Sequence, residues 1–180
     1  MKKRNLKTSQ RQPKPLCIAY IASSIDGKIS KHKKTMPDWT SVEDWKFFQK
    51  ELAKCDAVVV GRNTYLAAAD RLRKRNTFVL TQRIKTSRRL GRVLFINPLN
   101  VNLSEVLRKY RQVAIVGGSQ VFSYMLNIGL MDELYITLEP IVLGDGKEMF
   151  ERLIAKKRFK LLSVRKINLI GSILLHYRIM

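Results

Sequence analysis

One stretch decides the fold of this chain: QVAIVGGSQVF, which spans Gln112–Phe122. Residues 113–116 are apolar, and they run directly into Gly117 and Gly118 and then into a helical pattern. A short apolar run that ends in glycine is typical of a strand in a parallel sheet that is covered on both faces. Open α/β sheets bind ligands at the carboxyl ends of their strands, and glycines there let the backbone approach a ligand closely. The stretch therefore predicts a buried strand that ends at a binding edge, with a tight turn as the alternative.

The residue after the glycines predicts the start of the next helix. The hydroxyl of Ser119 can cap that helix by accepting a hydrogen bond from a backbone N–H. The exposed N–H groups and the dipole of a helix N-terminus favour a phosphate. This turn is therefore a candidate phosphate-binding turn.

Similar apolar runs flank this stretch on both sides. The predicted strands are Leu16–Ala22, Ala57–Val60, Thr77–Leu80, Val93–Ile96, Val113–Val116 and Glu133–Pro140, followed by an antiparallel pair, Phe159–Lys166 with Ser172–Ile179. The predicted helices are one that begins at the cap Ser41, then Asn63–Ala69, Leu103–Tyr110 and Gln120–Ile128. This order predicts an α/β fold: a mixed, mostly parallel sheet with an antiparallel C-terminal hairpin and helices on both faces.

Composition limits the class of protein. No apolar run approaches the roughly 18 residues that span a bilayer, and the N-terminus lacks the apolar core of a signal peptide. Cys17 and Cys55 are interpreted as reduced core thiols, with a disulfide or a site as the alternative. His32 and His176 have no second ligand at metal spacing. We therefore expect a cytoplasmic protein with no membrane segment and no metal site.

The charge balance is strongly basic. The chain has 35 Lys+Arg against 14 Asp+Glu, a formal net charge of +21. Residues 1–14 are basic and almost free of apolar side chains, which predicts a disordered leader before a single domain at 15–180. The charge favours polyanions or phosphorylated ligands, with solvated basic faces as the alternative. Because no aromatic residues are interleaved with the basic ones, we expect nucleic acid to bind only non-specifically, through electrostatics.

Three segments that contain glycine are candidates for one binding edge. They are Ile25–Asp26–Gly27, Val60–Gly61–Arg62–Asn63–Thr64 and Val116–Gly117–Gly118. Two of them lead into helix N-termini, which suits a dinucleotide with several phosphates. Thr81 and Arg83, at the end of another strand, suit an extra phosphate. None of these spacings is the Rossmann glycine fingerprint.

Taken together, these segments resemble the dihydrofolate reductase superfamily, including the reductase half of the riboflavin-pathway deaminase–reductase. The segments that carry the resemblance are Ser24–Ile25–Asp26–Gly27–Lys28–Ile29, Asp38–Trp39 through Asp44, Val60–Gly61–Arg62–Asn63–Thr64–Tyr65, Val116–Gly117–Gly118, and Leu134–Tyr135–Ile136–Thr137 with Gly144–Asp145–Gly146. The resemblance implies the three-layer fold of dihydrofolate reductase and a nicotinamide cofactor, usually NADPH. It also implies a Gly117–Gly118 bond that is often cis.

The predicted cofactor site combines the glycine segments with the end of the third strand. Its residues are Gly27, Gly61, Arg62, Asn63, Thr64, Thr81, Arg83, Gly117, Gly118, Ser119, Gln120 and Val121. In the resemblance, Gly61–Thr64 and Gly117–Val121 match two phosphate-binding turns. Thr81 and Arg83 match the place where the adenosine phosphate is usually held.

The predicted substrate side matches two branches of the superfamily. Ser24, Asp26 and Lys28 match the signature of the pyrimidine reductases. Trp39 and Asp44 match dihydrofolate reductase, in which a carboxylate on the first helix holds the pterin and assists its protonation. Thr137 matches the hydroxyl that supports this carboxylate, and Phe48 is predicted to contact substrate from the same helix.

The catalytic and the packing interpretations of these residues both stay open. Asp44 lies in the capping-box position and could reach back to Ser41 rather than act in catalysis. Trp39 could be a packed lid residue.

The implied activity is hydride transfer from NADPH to a C=N bond, with the proton supplied by the protein. The best match is a 5-amino-6-(5-phosphoribosylamino)uracil reductase, and dihydrofolate reductase is the alternative. The zinc-deaminase signature is missing, which excludes the bifunctional riboflavin enzyme. A polyanion-binding protein on a retired reductase scaffold is a third hypothesis. The pyrimidine reductase branch tends to form dimers, so a homodimer is an expectation from the resemblance alone.

Overall fold

A computed structural model describes residues 14–31 and 37–180. The predicted leader lies outside the described residues except for Lys14. The Nζ atom of Lys14 donates hydrogen bonds to Asp132 Oδ1 at 2.8 Å and to the carbonyl oxygen of Gly129 at 2.9 Å. His32 also lies outside the described residues.

The described chain alternates strands and helices before it closes with a hairpin. The strands are β1 (Leu16–Ser23), β2 (Lys28–Ser30), β3 (Ala57–Gly61), β4 (Thr77–Leu80), β5 (Ser87–Leu90), β6 (Val93–Ile96), β7 (Gln112–Ile115), β8 (Glu133–Leu138), β9 (Lys147–Glu148), β10 (Phe159–Lys166) and β11 (Ile173–Ile179). The helices are α1 (Val42–Lys54), α2 (Arg62–Ala67), α3 (Ala69–Leu72), α4 (Leu103–Leu107) and α5 (Ser119–Asn127). None of these helices is long and apolar enough to cross a membrane.

The main sheet is mixed, with a parallel centre. Its strand order is β10-β11-β8-β1-β7-β3-β4-β6-β5. The strands from β8 to β6 pair in parallel, whereas β11 and β10 add an antiparallel hairpin at one edge. This arrangement confirms the predicted fold class. At the other edge β5 pairs antiparallel to β6. This strand was not predicted, because the sequence SRRL carries little apolar signal and all four residues are exposed.

The core lies on both faces of the sheet, because successive residues of a strand point to opposite faces. In β7, Val113 and Ile115 pack into one cluster with Phe122 and Met125 of α5. Ala114 packs into the other cluster with Leu52 of α1. Helices therefore cover both faces, as predicted. Full burial of a valine, leucine, isoleucine, phenylalanine or methionine side chain contributes about 1.5–3 kcal/mol, which explains why the central strands are continuous apolar runs.

The structure corrects several predicted element boundaries. The N-cap of α5 is Gly118 rather than Ser119, and Ser119 is the first helical residue. The helix predicted at Asn63–Ala69 begins one residue earlier and is broken at Ala68, whose φ and ψ of −130° and 24° are not helical. The helix predicted to reach Tyr110 ends at Leu107. Cys17 and Cys55 are buried and unbridged, which agrees with the predicted core thiols.

A small second sheet joins two long loops beside the main sheet. It consists of β2 and β9, which pair antiparallel. Gly146 is required at this contact, because a Cβ atom there would lie 2.6 Å from the carbonyl oxygen of Ser30. The loop that leads into β2 and the loop that follows β8 are therefore held against each other.

Candidate functional site

A cavity of about 1500 Å³ opens along the carboxyl edge of the parallel strands. Its wall includes Ala22 of β1, Gly61 of β3, Thr81 after β4, Val116 after β7 and Thr137 of β8. This is the edge at which open α/β sheets bind ligands. Strand β7 therefore ends at the cavity, as predicted.

Two glycine turns lie side by side in the cavity wall. The first is formed by β3 and the start of α2, and the second by the end of β7 and the start of α5. The N–H of Gly61 donates to the carbonyl oxygen of Gly117 at 2.7 Å. A Cβ atom on Gly61 would lie 3.2 Å from Val121 Cγ2, so a side chain at Gly61 would push the two turns apart. The glycines therefore bring two helix N-termini to one place.

The second turn has its glycines for two different reasons. The peptide bond between Gly117 and Gly118 is cis, as the resemblance implied. Gly117 has a φ of +97°, and a Cβ atom there would lie 2.9 Å from the Phe122 ring. Gly118 faces the cavity, and a Cβ atom there would have Thr64 Oγ1, at 3.7 Å, as its nearest neighbour. Gly117 is thus required by the fold, whereas Gly118 leaves open space for a ligand.

Polar and cationic groups surround these turns. The Ser119 hydroxyl is 1% exposed and has no hydrogen-bond partner among the described residues. A buried hydroxyl without a partner is uncommon, and such groups occur where a ligand or water completes the bonding. Arg62, Thr81 and Arg83 also lie in the cavity wall. This part of the cavity suits a phosphorylated ligand.

A carboxylic acid lies on the other side of the cavity. Asp44 is in the first turn of α1 and is partly buried. Burial raises the pKa of this carboxyl, a hydrogen bond from the Thr137 hydroxyl opposes the shift, and the nearby charge of Glu139 adds to it. Asp44 therefore retains its proton at a higher pH than an ordinary aspartate.

The N-terminus of α1 does not form the capping box that was the alternative interpretation of Asp44. The Ser41 hydroxyl accepts a hydrogen bond from the Asp44 N–H at 3.2 Å, so the predicted cap is confirmed. The Ser41 N–H donates to Glu139 Oε1 at 2.7 Å rather than to Asp44. The Asp44 carboxyl is thus directed to Thr137 at the cavity.

Aromatic side chains form the wall beside Asp44. Tyr20 and Tyr135 stack in parallel with their centroids 5.6 Å apart, and Phe47 packs against Tyr135 at 5.2 Å. Trp45 and Phe48 extend this wall along α1. Of these, only Phe48 was predicted to contact substrate. Tyr20 and Tyr135 were missed because, in sequence, both are ordinary strand residues.

Most of the predicted site residues line this one cavity. They are Asp44, Phe48, Gly61, Arg62, Asn63, Thr64, Thr81, Arg83, Gly118, Ser119, Gln120, Val121 and Thr137. The predicted residues outside the cavity wall are Ser24, Asp26, Gly27, Lys28, Trp39 and Gly117.

The carboxylate of Asp26 binds its own loop and the loop that follows β8. Its carboxylate accepts hydrogen bonds from the Ser24 hydroxyl at 2.6 Å and from the N–H groups of Leu143 and Gly144 at 3.0 and 2.8 Å. These bonds, led by that of Ser24, lower the pKa of Asp26 to about 2. Lys28 Nζ lies 3.5 Å from Glu148 Oε1. These contacts fasten the loop that precedes β2, and a substrate role for its residues stays a prediction.

The comparison with known proteins identifies the family. The family described as Dihydrofolate reductase matches residues 17–169. The chain belongs to the dihydrofolate reductase family. Among the residues described, no group of three or more His, Cys, Asp or Glu side chains could hold a metal ion.

Similar proteins include a curated relative and two solved structures. The uncharacterized protein YwjB of Bacillus subtilis (strain 168) is 26% identical over 89% of this chain and 95% of its own. A deaminase/5-amino-6-(5-phosphoribosylamino)uracil reductase from Thermotoga maritima has a TM-score of 0.69 at 20% identity, over 93% of this chain and 57% of that one. Dihydrofolate reductase from Enterococcus faecalis, complexed with NADP(H) and RAB-propyl, has a TM-score of 0.64 at 26% identity, over 92% and 97%.

Proposed function

We propose that this protein is an NADPH-dependent reductase that acts on the C=N bond of a pyrimidine- or pterin-type substrate. The observation that carries the proposal is the meeting of two glycine turns and a partly buried carboxylic acid in one cavity. The turns suit a dinucleotide, and the acid suits a substrate that must be protonated as it is reduced.

The cofactor would be held by the phosphate-binding half of the cavity. The N-termini of α2 and α5 would bind the pyrophosphate, and the unpartnered Ser119 hydroxyl would find a partner there. Arg62, Thr81 and Arg83 would bind the extra phosphate that distinguishes NADPH from NADH. When bound, the nicotinamide supplies the hydride that reduces the substrate.

The protein's part in the chemistry is to bind a flat ring and to deliver a proton. The aromatic wall formed by Tyr20, Tyr135 and the α1 side chains offers ring faces against which a heterocycle can stack. Asp44 has a raised pKa, so it retains its proton at a higher pH than an ordinary aspartate and can donate it to the ring nitrogen. The Thr137 hydroxyl orients this carboxyl.

Two substrate classes fit, and each has an observation in its favour. The cavity wall contains the cationic side chains of Arg62, Arg71, Arg83, Lys147 and Arg152. This excess over the nearby acids suits a phosphorylated sugar, as in 5-amino-6-(5-phosphoribosylamino)uracil, and we place this substrate first. The Asp44–Thr137 pair instead favours dihydrofolate. A polyanion-binding protein on a retired scaffold is disfavoured, because the glycine turns and the acid are intact.

The test is to follow NADPH oxidation with each substrate separately. We expect oxidation with the ribosylaminopyrimidine phosphate, or with dihydrofolate if the second candidate is correct. A folded protein that binds NADPH but oxidises it with neither substrate would contradict both substrate assignments. A folded protein that does not bind NADPH would favour the polyanion-binding protein.

A further inference from the structure

A second carboxylate lies behind Asp44, at the carboxyl end of β8. Glu139 is 3% exposed. Burial of a charged carboxylate is costly unless it is paired or well hydrogen-bonded, so its partners identify what it does. No sequence pattern singles out Glu139, since a glutamate in an alternating strand is usually exposed.

The partners of Glu139 join two separate segments of the chain. Its Oε1 atom accepts hydrogen bonds from both the N–H and the hydroxyl of Ser41, each at 2.7 Å. Its Oε2 atom accepts a short hydrogen bond from the hydroxyl of Ser172, which is fully buried. Ser172 is held in turn by Asn168, whose Oδ1 accepts from the Ser172 N–H at 2.9 Å. Glu139 therefore ties the N-terminus of α1 to the turn before β11.

This contact lies directly beside the one that holds the acid. Thr137 and Glu139 are two residues apart, so they project from the same face of the extended chain. Ser41 and Asp44 are three apart at the start of α1, which places them on neighbouring parts of one helix face. Two parallel contacts result: Thr137 bonds to Asp44, and Glu139 bonds to Ser41. One orients the carboxyl, and the other fixes the helix that carries it.

We propose that Glu139 is the positioning residue of this site: it fixes the first turn of α1 against β8 and places a negative charge beside the Asp44 carboxyl. The proposal rests on the proposed role of Asp44 as proton donor. Glu139 does not line the cavity, so it acts through Asp44 and not by contact with a ligand.

The electrostatic part of the proposal follows from the groups around Asp44. The charged side chains that share the cavity wall with it are Arg62, Asp70, Arg71, Arg83, Lys147, Glu151 and Arg152. Among the described charged groups, Glu139 is the one whose charge shifts the pKa of Asp44, and it shifts it upward. Removal of this charge should therefore let Asp44 lose its proton at lower pH.

The decisive variant is Glu139→Gln, because it removes the charge and retains most of the hydrogen bonds. The amide oxygen can still accept from Ser41, and the amide nitrogen can donate to the Ser172 hydroxyl. We expect an NMR titration of the carboxyl carbons to show the Asp44 midpoint at lower pH than in the unchanged protein. The pH dependence of single-turnover NADPH oxidation should move in the same direction. An unchanged Asp44 midpoint in folded Glu139→Gln protein would overturn the proposal.

The chain offers a matched control on the same strand. Glu133 is also buried, and its carboxylate binds His176 and Arg178. It lies six residues from Glu139, about 20 Å along the extended chain. Glu133→Gln should lower thermal stability but leave the Asp44 midpoint where it was. An equal shift in both variants would show a general effect of charge and would also overturn the proposal.

The positioning part is tested with Ser172→Ala, which removes one partner of Glu139 outside the cavity. Small displacements of a catalytic group cost up to roughly 10²-fold in rate, so we expect kcat to fall while the affinity for NADPH is unchanged. An unchanged kcat would contradict positioning.

If the unchanged protein oxidises NADPH with neither candidate substrate, the proposed function fails, yet the NMR midpoint still decides the role of Glu139.

Discussion

The two halves of the cavity differ in how they are built. The half proposed to bind the cofactor, here called the cofactor half, consists of backbone turns, whose glycines are fixed by contacts such as that between Gly61 and Gly117. The half proposed to bind the substrate, here called the substrate half, consists of side chains from α1, β1 and β8 that meet across the fold. A backbone turn is encoded in a short run of residues, whereas a set of side chains is assembled by tertiary packing. This difference explains why the glycine turns lie where the sequence predicts, whereas Ser24, Asp26 and Lys28 lie outside the cavity wall.

The largest effect is expected in the cofactor half, at Gly118. Gly118→Val should abolish NADPH binding, because Gly118 lines the cavity at the turn proposed to hold the pyrophosphate. The protein should still fold, because a Cβ atom there has only an ordinary 3.7 Å contact. The adjacent Gly117→Ala is the matched comparison. It should instead lower stability, because its positive φ and the Phe122 ring both oppose a side chain. Titration with NADPH and thermal unfolding separate the two effects. If Gly118→Val binds NADPH with the affinity of the unchanged protein, this turn does not bind the cofactor.

In the substrate half, the largest effect is expected at Asp44. Asp44→Asn retains the size of the side chain and an acceptor for Thr137, but it cannot donate the proton. Hydride transfer should fall by roughly 10²–10⁴-fold, with NADPH affinity unchanged. Single-turnover rates across the pH range provide the measurement. Turnover within a few-fold of the unchanged protein would exclude the catalytic role.

Asp44→Asn should also change how the stability of the protein depends on pH. Burial raises the pKa of Asp44 in the folded state, so its favourable contribution to stability is present below the ordinary pKa of aspartate. That contribution is lost as pH rises through the raised pKa. Asp44→Asn should therefore gain stability relative to the unchanged protein as pH rises through this window. Denaturant unfolding at several pH values tests the sign. The free energy of unfolding of Asp44→Asn minus that of the unchanged protein should rise with pH, and a fall with pH would contradict the raised pKa.

A smaller effect is expected for cofactor selectivity. A guanidinium contact to the extra phosphate contributes about 1.5–3 kcal/mol, which corresponds to a roughly 10- to 150-fold preference for NADPH over NADH. Replacing both Arg62 and Arg83 with alanine should erode this preference and leave NADH binding unchanged. Binding constants for the two cofactors provide the test. An unchanged ratio would place the selectivity elsewhere.

The smallest effect on turnover is expected at Asp26, which distinguishes a loop contact from a substrate ligand. Asp26→Asn should speed hydrogen exchange at the Leu143 and Gly144 amides and leave the KM for substrate unchanged. The pKa of Asp26 is lowered to about 2, so the stability from its ionised form is present above the ordinary pKa of aspartate. That stability is lost as pH falls from the ordinary pKa through the lowered pKa of the folded state. A large rise in KM would show that Asp26 contributes to substrate binding.

What could be predicted from sequence follows from the same physical difference. The strands at Thr77–Leu80 and Val93–Ile96 have the predicted bounds, because apolar runs and their ends are local signals. The helix cap fell on Gly118 rather than Ser119, since the backbone of the turn and not the hydroxyl determines where α5 begins. Glu139 and Tyr20 could not be found, because their roles depend on α1 packing against strands far away in sequence.

The proposed reaction is the transfer of hydride from NADPH to a C=N bond in this cavity. The most direct measurement uses NADPH that carries deuterium at the transferable position, together with each of the two candidate substrates. For one of them, we expect deuterium to appear on the reduced carbon of the product as NADPH is oxidised. Product without deuterium, or no product from either substrate in a folded protein that binds NADPH, would contradict the claim.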